Sequence, residues 1–350
     1  MKFSKPISTV IDEKAIEKVM QLIEESNKIV ITTHLSPDGD ALGSSLGLYH
    51  YLKKTGKEVT VIVPNSFPYF LEWLEGADKI VNFELNHKEA NILIGQADLI
   101  FSLDYNIPKR IGRMAEPFEN SSARKVLIDH HLFPGDCFDA VLSYPKISST
   151  SELVFRLLFQ AGKHDVIDFT IAECIYCGMM TDTGGFTFNS NNPEIYQIIS
   201  MLLQKGIDKD LIYSRVYHNF NEERFRLLGF TLSERMKIYP ELHTALIWMS
   251  LEDQKQFSFS KGDTEGFVNY PLNIQGVIFS VFIREDEKLI KISFRSQGKF
   301  PTNEFAAQFF NGGGHLNASG GEFHGSIEEA IALFERGIEQ YSEKLKETIN

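Results

Sequence analysis

The chain is poor in three things, and each shortage narrows what it can be. It has three cysteines, Cys137, Cys174 and Cys177, in 350 residues. They are too few and too unevenly placed for a disulfide framework, which points to a reducing compartment. Positive charge is in deficit: 35 Lys and Arg stand against 47 Asp and Glu, a formal charge of −12. A broad basic face that coats duplex nucleic acid is therefore not expected, and an anionic substrate must be attracted by something other than bulk charge. Long apolar runs are missing too, with nothing near the roughly 18 consecutive apolar residues of a membrane span. The opening MKFSKPISTVIDEKAIEK has no apolar segment ahead of a cleavage site. A cytoplasmic protein without a membrane partner or lipid anchor is the expectation.

What is present is enough for two hydrophobic cores: 39.8 kDa, with 43% hydrophobic residues, is more than one core usually serves. Short apolar runs at Lys28–Thr33, Glu58–Pro64, Asp98–Asp104, Arg124–Asp129 and Ala140–Ser143 read as strands. Helical spacing lies between them, around Ile16–Ile23 and over Asp40–Lys54, Pro68–Gly76, Asn86–Ala97, Ser149–Gly162 and Phe169–Met180. This alternation predicts an α/β domain built on a parallel sheet with helices on both faces. Beyond Asn191-Asn192-Pro193 the pattern changes to helices at Glu194–Lys205 and Lys209–Asn219, and a charged segment at Asn221–Arg226. Strands follow at Thr244–Met249, Val277–Arg284 and Leu289–Phe294, then a long helix at Ile327–Lys346. The expected organisation is a catalytic domain over 1–190, a helical connector over 191–225 and a smaller α/β domain over 226–350. Residues 1–200 carry a formal −8, residues 201–300 +1 and residues 301–350 −5, so an anion pocket is easier to build in the second domain.

Chemistry-bearing residues gather after the strands of the first domain, where open α/β sheets bind ligands. His34-Leu-Ser-Pro-Asp38-Gly-Asp40 follows the first strand, on a loop expected to be made flexible by Gly39. Helix capping by the two aspartates is an equally good account of that segment alone. Asp104 ends a second strand, where an Asp is often only a turn former. Asp129-His130-His131 ends a third, and two adjacent histidines behind an Asp are hard to explain by packing. In an extended segment they point opposite ways, one able to ligate a metal while the other faces a substrate. Thr181-Asp182-Thr183-Gly184-Gly185 follows an apolar helix; alone it is a helix C-cap. Together these clusters offer two His and four Asp to metal, plus a further Asp–His pair. Nitrogen and hard oxygen without thiolate suit manganese or magnesium, with zinc or cobalt as further options. Converging carboxylates without cations would repel one another. Two divalent ions remove that cost, and a two-metal site activates water against phosphorus. The same ligand types would also serve an amidohydrolase.

In order and spacing, His34-x-x-x-Asp38-x-Asp40, Asp104, Asp129-His130-His131 and Asp182 resemble the four motifs of the DHH phosphoesterase family. Gly312-Gly313-Gly314-His315, then Ala318-Ser319-Gly320-Gly321, with Arg295 upstream, is similar to the DHH-associated C-terminal domain. The resemblance covers nearly the whole chain. It implies one metal held by His34, Asp38 and Asp104 and a second by Asp40, Asp104, His130 and Asp182, with Asp104 as the bridge. It also implies that His131 faces the scissile phosphate while Asp129 orients a neighbouring histidine. Arg295, the amides of Gly312, Gly313 and Gly314, and His315 would bind a substrate phosphate.

The two-domain form of the family most resembles enzymes that degrade very short RNA and remove the 3′-phosphate of 3′-phosphoadenosine 5′-phosphate (pAp). Hydrolysis of cyclic dinucleotides or their linear products is the runner-up, followed by an exopolyphosphatase-related activity. A non-catalytic nucleotide sensor is the reading from another class; a filled set of ligand positions weighs against it. A homodimer is expected by resemblance only. Cys174-x-x-Cys177 reads as buried core rather than redox chemistry, and most of the 28 Phe read as core. His50, His87, His164, His218, His243 and His324 show no ligand-like spacing.

Overall fold

The apolar runs that precede His34, Asp104 and His130 form three neighbouring parallel strands. The computed structural model describes residues 7–260 and 262–347, and the chain divides into two compact units between Asn219 and Phe220. The first unit contains β1 (Lys28–Thr32), β2 (Glu58–Val63), β3 (Val81–Asn82), β4 (Leu99–Leu103), β5 (Arg124–Asp129) and β6 (Ala140–Ser143). All pair in parallel, in the order β3-β2-β1-β4-β5-β6. The strand order reverses direction between β1 and β4, the place where a crevice opens at the carboxyl ends of such a sheet. Thr32 lies opposite Ser102, and Leu103 opposite Ile128. His34, Asp104 and Asp129 therefore leave the sheet at one level, with Asp104 on the central strand of the three.

The helices of this unit are α1 (Glu13–Glu25), α2 (Gly39–Lys54), α3 (His87–Gln96), α4 (Ala115–Asn120), α5 (Thr150–Gln160), α6 (Phe169–Asp182), α7 (Pro193–Leu203) and α8 (Lys209–Tyr217). The segment expected as a connector, residues 191–225, holds α7, α8 and the start of the next helix. α2 and α6 approach closely because glycines face each other: a Cβ on Gly43 would lie 2.6 Å from the Cys174 carbonyl oxygen and 2.7 Å from the Gly178 nitrogen. Cys174 and Cys177 are buried on α6, and burial pushes both thiols above their ordinary pKa.

In the second unit, α9 (Glu222–Glu234) leads into β7 (Met236–Tyr239), β8 (Thr244–Met249), α10 (Leu251–Gln256), β9 (Phe279–Glu285), β10 (Ile290–Ser296), α11 (Thr302–Phe309), β11 (Gly313–Gly314), β12 (Ala318–Phe323), α12 (Ile327–Gln340) and α13 (Ser342–Glu347). The sheet order is β11-β12-β10-β9-β8-β7, antiparallel except where β8 runs parallel to β9. Phenylalanine fills its core: the Phe279 ring centroid is 4.6 Å from Phe300 and 5.3 Å from Phe305, and Phe294 is 5.5 Å from Phe310.

Two predicted helices differ. Pro68–Gly76 forms only a short 3-10 turn at Tyr69–Leu71, because a segment bounded by Pro and a left-handed Gly76 (φ +87°) is too short to repay helix nucleation. The helix predicted over Ile327–Lys346 breaks at Tyr341, whose ring sits 5.3 Å from Phe305 and whose hydroxyl donates to Gln308 Oε1 at 2.8 Å. That anchorage turns the backbone before α13 begins.

Candidate metal centre

Asp104 is the geometric centre of the cluster. Its backbone lies at φ +63°, a left-handed conformation that Asp tolerates better than most residues, and its N–H donates to the Ile128 carbonyl at 3.2 Å. One carboxylate oxygen, Oδ2, lies 3.3 Å from His34 Nε2; the other, Oδ1, lies 3.4 Å from His130 Nε2. Both imidazoles are oriented from behind. His34 Nδ1 is 2.9 Å from the Leu35 carbonyl and His130 Nδ1 is 3.2 Å from the Ile147 carbonyl. In the neutral ring this places the proton on Nδ1 and the lone pair on Nε2, the state a metal ligand needs.

The other carboxylates are placed by helix ends. Asp38 is both cap and candidate ligand: Oδ1 accepts the Asp40 and Ala41 N–H groups at 3.0 Å, while Oδ2 lies 3.8 Å from His34 Nε2. Asp40, buried in the first turn of α2, accepts the Thr150 N–H at 2.6 Å and the Ser151 N–H at 2.8 Å. These are the opening amides of α5, a helix terminus that favours negative charge. The Thr150 hydroxyl also donates to Asp104 Oδ1 at 2.9 Å. α6 runs past the predicted Met180, so Asp182 is its last residue. There Asp182 Oδ2 reaches 3.6 Å from His130 Nε2, and Gly184 and Gly185 turn the chain at φ +55° and +71°. Gly39 is not a flexible loop residue but the first residue of α2. A Cβ there would overlap the Thr181 side chain, so the glycine lets α2 begin against the end of α6.

His131 differs from the other two histidines. Its Nδ1 lies 2.7 Å from Asp129 Oδ1, and its backbone N–H donates to Asp129 Oδ2 at 3.0 Å. Asp129 is fully buried and fixes ring and backbone together.

Carboxylates crowd around His34 and His130, and the crowding shifts the pKa of each group. Burial alone would lower the His34 pKa, yet hydrogen bonds and charge from Asp104 and Asp38 lift it to about 10. Burial opposes protonation of His130 as well, and Asp182, Asp104 and Asp40 together push it well above the ordinary value. Burial and the neighbouring Asp104 and Asp182 carboxylates drive Asp40 well above the usual carboxylate range. Against its own burial, Asp104 is held well below that range by His130 and His34. The donor set fits hard divalent ions: in His34–Asp38–Asp104 and in Asp40–His130–Asp182, one ligand atom per residue lies within 4.8 Å of the others.

The residues assigned to phosphate binding lie together in the second unit. Arg295 pairs with Ala318 across β10 and β12, and the His315 N–H donates to the Ala318 carbonyl at 2.7 Å. The glycine run is not a loose loop. Gly313 and Gly314 pair with Gly320 and Ser319, and the Gly312 N–H is spent on the Ala306 carbonyl at 3.0 Å. A Cβ on Gly312 would overlap the Gly320 carbonyl oxygen. Close approach of two strands is thus a structural reason for these glycines, and the Gly312 and His315 amides are committed to backbone partners.

Residues 28–179 match the model of the DHH family, N-terminal domain, and residues 243–341 that of the DHHA1 domain. A solved exopolyphosphatase-related protein from Bacteroides fragilis is 55% identical, covering 97% of this chain and 99% of that one at a TM-score of 0.92. The chain belongs to the DHH family. Among curated relatives, the bifunctional oligoribonuclease and PAP phosphatase of Thermus thermophilus is 28% identical over 95% of this chain and 94% of its own length. The cyclic-di-AMP phosphodiesterase of Bacillus subtilis is 25% identical over 92% of this chain but 49% of its own length. As a DHH-family protein the chain is a hydrolase of phosphoester bonds. No helix among the described residues is long and apolar enough to cross a membrane.

Thr150, Ser151 and Gly178 border the candidate ligands Asp40 and Asp104, and none of the three stands out in the sequence. Ser149-x-x-Glu152 is a capping signal that places the amides of Thr150 and Ser151 at a helix start; nothing in the sequence says which carboxylate they meet.

Proposed function

We propose that the chain hydrolyses short RNA oligonucleotides or the 3′-phosphate of pAp, with two divalent cations, manganese by preference, held around Asp104. The observation that carries this reading is the position of the Asp104 carboxylate, with one oxygen 3.3 Å from His34 and the other 3.4 Å from His130. His34, Asp38 and Asp104 would hold one ion, and Asp40, Asp104, His130 and Asp182 the other. Such ions supply charge for the phosphoryl oxygens and a more acidic water. The protein's own share is orientation. Asp129 keeps the His131 proton on Nδ1 in the neutral ring, so Nε2 meets the phosphate side, and in the protonated ring it stabilises the charge. Arg295 and His315, in the second unit, would bind a substrate phosphate. The full-length match to the oligoribonuclease and PAP phosphatase supports this substrate class. The match to half of a cyclic-di-AMP phosphodiesterase supports the cyclic substrate less.

The test is to strip the protein with chelator, restore manganese, and compare turnover of a linear RNA dinucleotide, pAp, cyclic di-AMP and polyphosphate. Turnover of the dinucleotide or pAp ahead of the other two supports the reading. Cleavage of polyphosphate alone, or of the cyclic dinucleotide alone, contradicts it.

A further inference from the structure

Phe133 carries two unfavourable features at once. It is 82% exposed, and its backbone sits at φ +61°, where Gly or Asn is at ease and a bulky side chain is strained. The loop that presents it is well anchored. Asn106 Nδ2 donates to the Leu132 carbonyl at 2.6 Å and to the Phe133 carbonyl at 3.3 Å, and the Gly135 N–H donates to the Asn106 carbonyl at 2.8 Å. Asn106 follows Asp104 by two residues and Phe133 follows His131 by two. The clamp therefore joins the two strand ends that build the site. Strain that persists at such a place, on an aromatic ring held out in water, points to a ligand. Leu132, 39% exposed, continues the apolar surface towards His131.

We propose that Phe133, with Leu132 beside it, is a stacking platform for a nucleobase of the ester handled at Asp104 and His131. Two residues of chain span at most about 7 Å, a reach comparable with that from a phosphate to the base of the same nucleotide. The inference rests on the phosphoesterase reading above and sharpens it. A bare phosphate chain offers a ring nothing to stack on, whereas any nucleobase does. Aromatic stacking accepts every base, so the platform selects nucleotides over inorganic phosphates without reading sequence.

The test uses the full-length, manganese-loaded protein. KM and kcat are measured for a linear RNA dinucleotide and for two analogues in which a tetrahydrofuran residue replaces each nucleoside in turn. Phe133→Asn suits the left-handed backbone and removes the ring. Its KM for the intact dinucleotide is expected to rise about tenfold relative to its KM for one of the abasic analogues, with Phe133→Trp restoring the intact value. The melting temperature of Phe133→Asn should equal or exceed that of the wild type. Equal KM changes for all three substrates overturn the platform, as does a lower melting temperature that Phe133→Trp corrects without restoring KM. If the wild type cleaves the dinucleotide and Phe133→Asn leaves KM unchanged, only the platform fails. If the wild type cleaves no nucleotide, the substrate reading fails and the platform with it.

Discussion

His131 is tied to Asp129 twice, by a 2.7 Å contact from Nδ1 to Oδ1 and by its own backbone N–H to Oδ2 at 3.0 Å. Since Asp129 is fully buried, ring and backbone share one fixed anchor. Asp129→Asn keeps the shape but offers the ring a weaker or reversed hydrogen bond. It is expected to lower kcat about 10- to 100-fold while manganese content stays at the wild-type level. Loss of metal in parallel with activity would place Asp129 among the ligands instead.

Thr150 offers a way to delete a single backbone donor. It is the first residue of α5, its N–H goes to Asp40 at 2.6 Å, and Ser149 before it is already extended at φ −164° and ψ 159°. Proline satisfies the backbone geometry there, and its ring carbon takes the place of the hydrogen that Asp40 accepts, so the Asp40 carboxylate must move away. Thr150→Pro is expected to fold and to bind manganese about 10- to 100-fold more weakly by calorimetry. Thr150→Val, which loses only the hydroxyl bonded to Asp104, separates the two contributions. Unchanged affinity in Thr150→Pro would show that the α5 amides do not position Asp40.

The legibility of the site in the sequence follows from what each part is made of. Ligand side chains at the ends of apolar runs are visible, and the parallel sheet with His34, Asp104 and His130 on neighbouring strands is where the alternation of strand and helix puts them. Backbone donors are not visible, because the amides of Thr150 and Ser151 carry no side-chain signature. The glycines mislead for a similar reason. Gly39 reads as flexibility and Gly312 as a phosphate-binding amide, but at each a neighbour leaves no room for a Cβ. The left-handed turn at Asp104 is equally silent, since Asp after a strand has many uses.

Gly178 turns that blindness into a prediction. In a helix interior, Gly→Ala ordinarily gains up to about 1 kcal/mol. Here the added Cβ would overlap the Ser151 hydroxyl and lie 3.0 Å from Asp40 Oδ1. Gly178→Ala should therefore lower the melting temperature and weaken metal binding, both readable in a thermal melt with and without manganese. A stabilised variant would contradict the packing of α2, α5 and α6 described above.

The pH dependence has a definite sign. In the metal-free protein the His34 pKa is raised from 6.5 to about 10, so its stabilising contribution is fully present below 6.5 and is lost as the pH rises through about 10. Melting of the chelator-treated protein should fall across that window, and His34→Gln should flatten the fall. Metal must displace the His34 proton, so manganese binding at pH 8 should release protons. Calorimetry in two buffers of different ionisation enthalpy would register the release; identical heats in both would contradict it.

If Asp104 joins two cation sites, metal content per chain reveals it. Wild-type protein, dialysed against manganese and analysed by mass spectrometry of the element, is expected to hold two ions per chain. Asp104→Asn should lose both, and His34→Gln only one. A wild type that holds a single ion, or an Asp104→Asn variant that keeps two, would contradict a bridging Asp104.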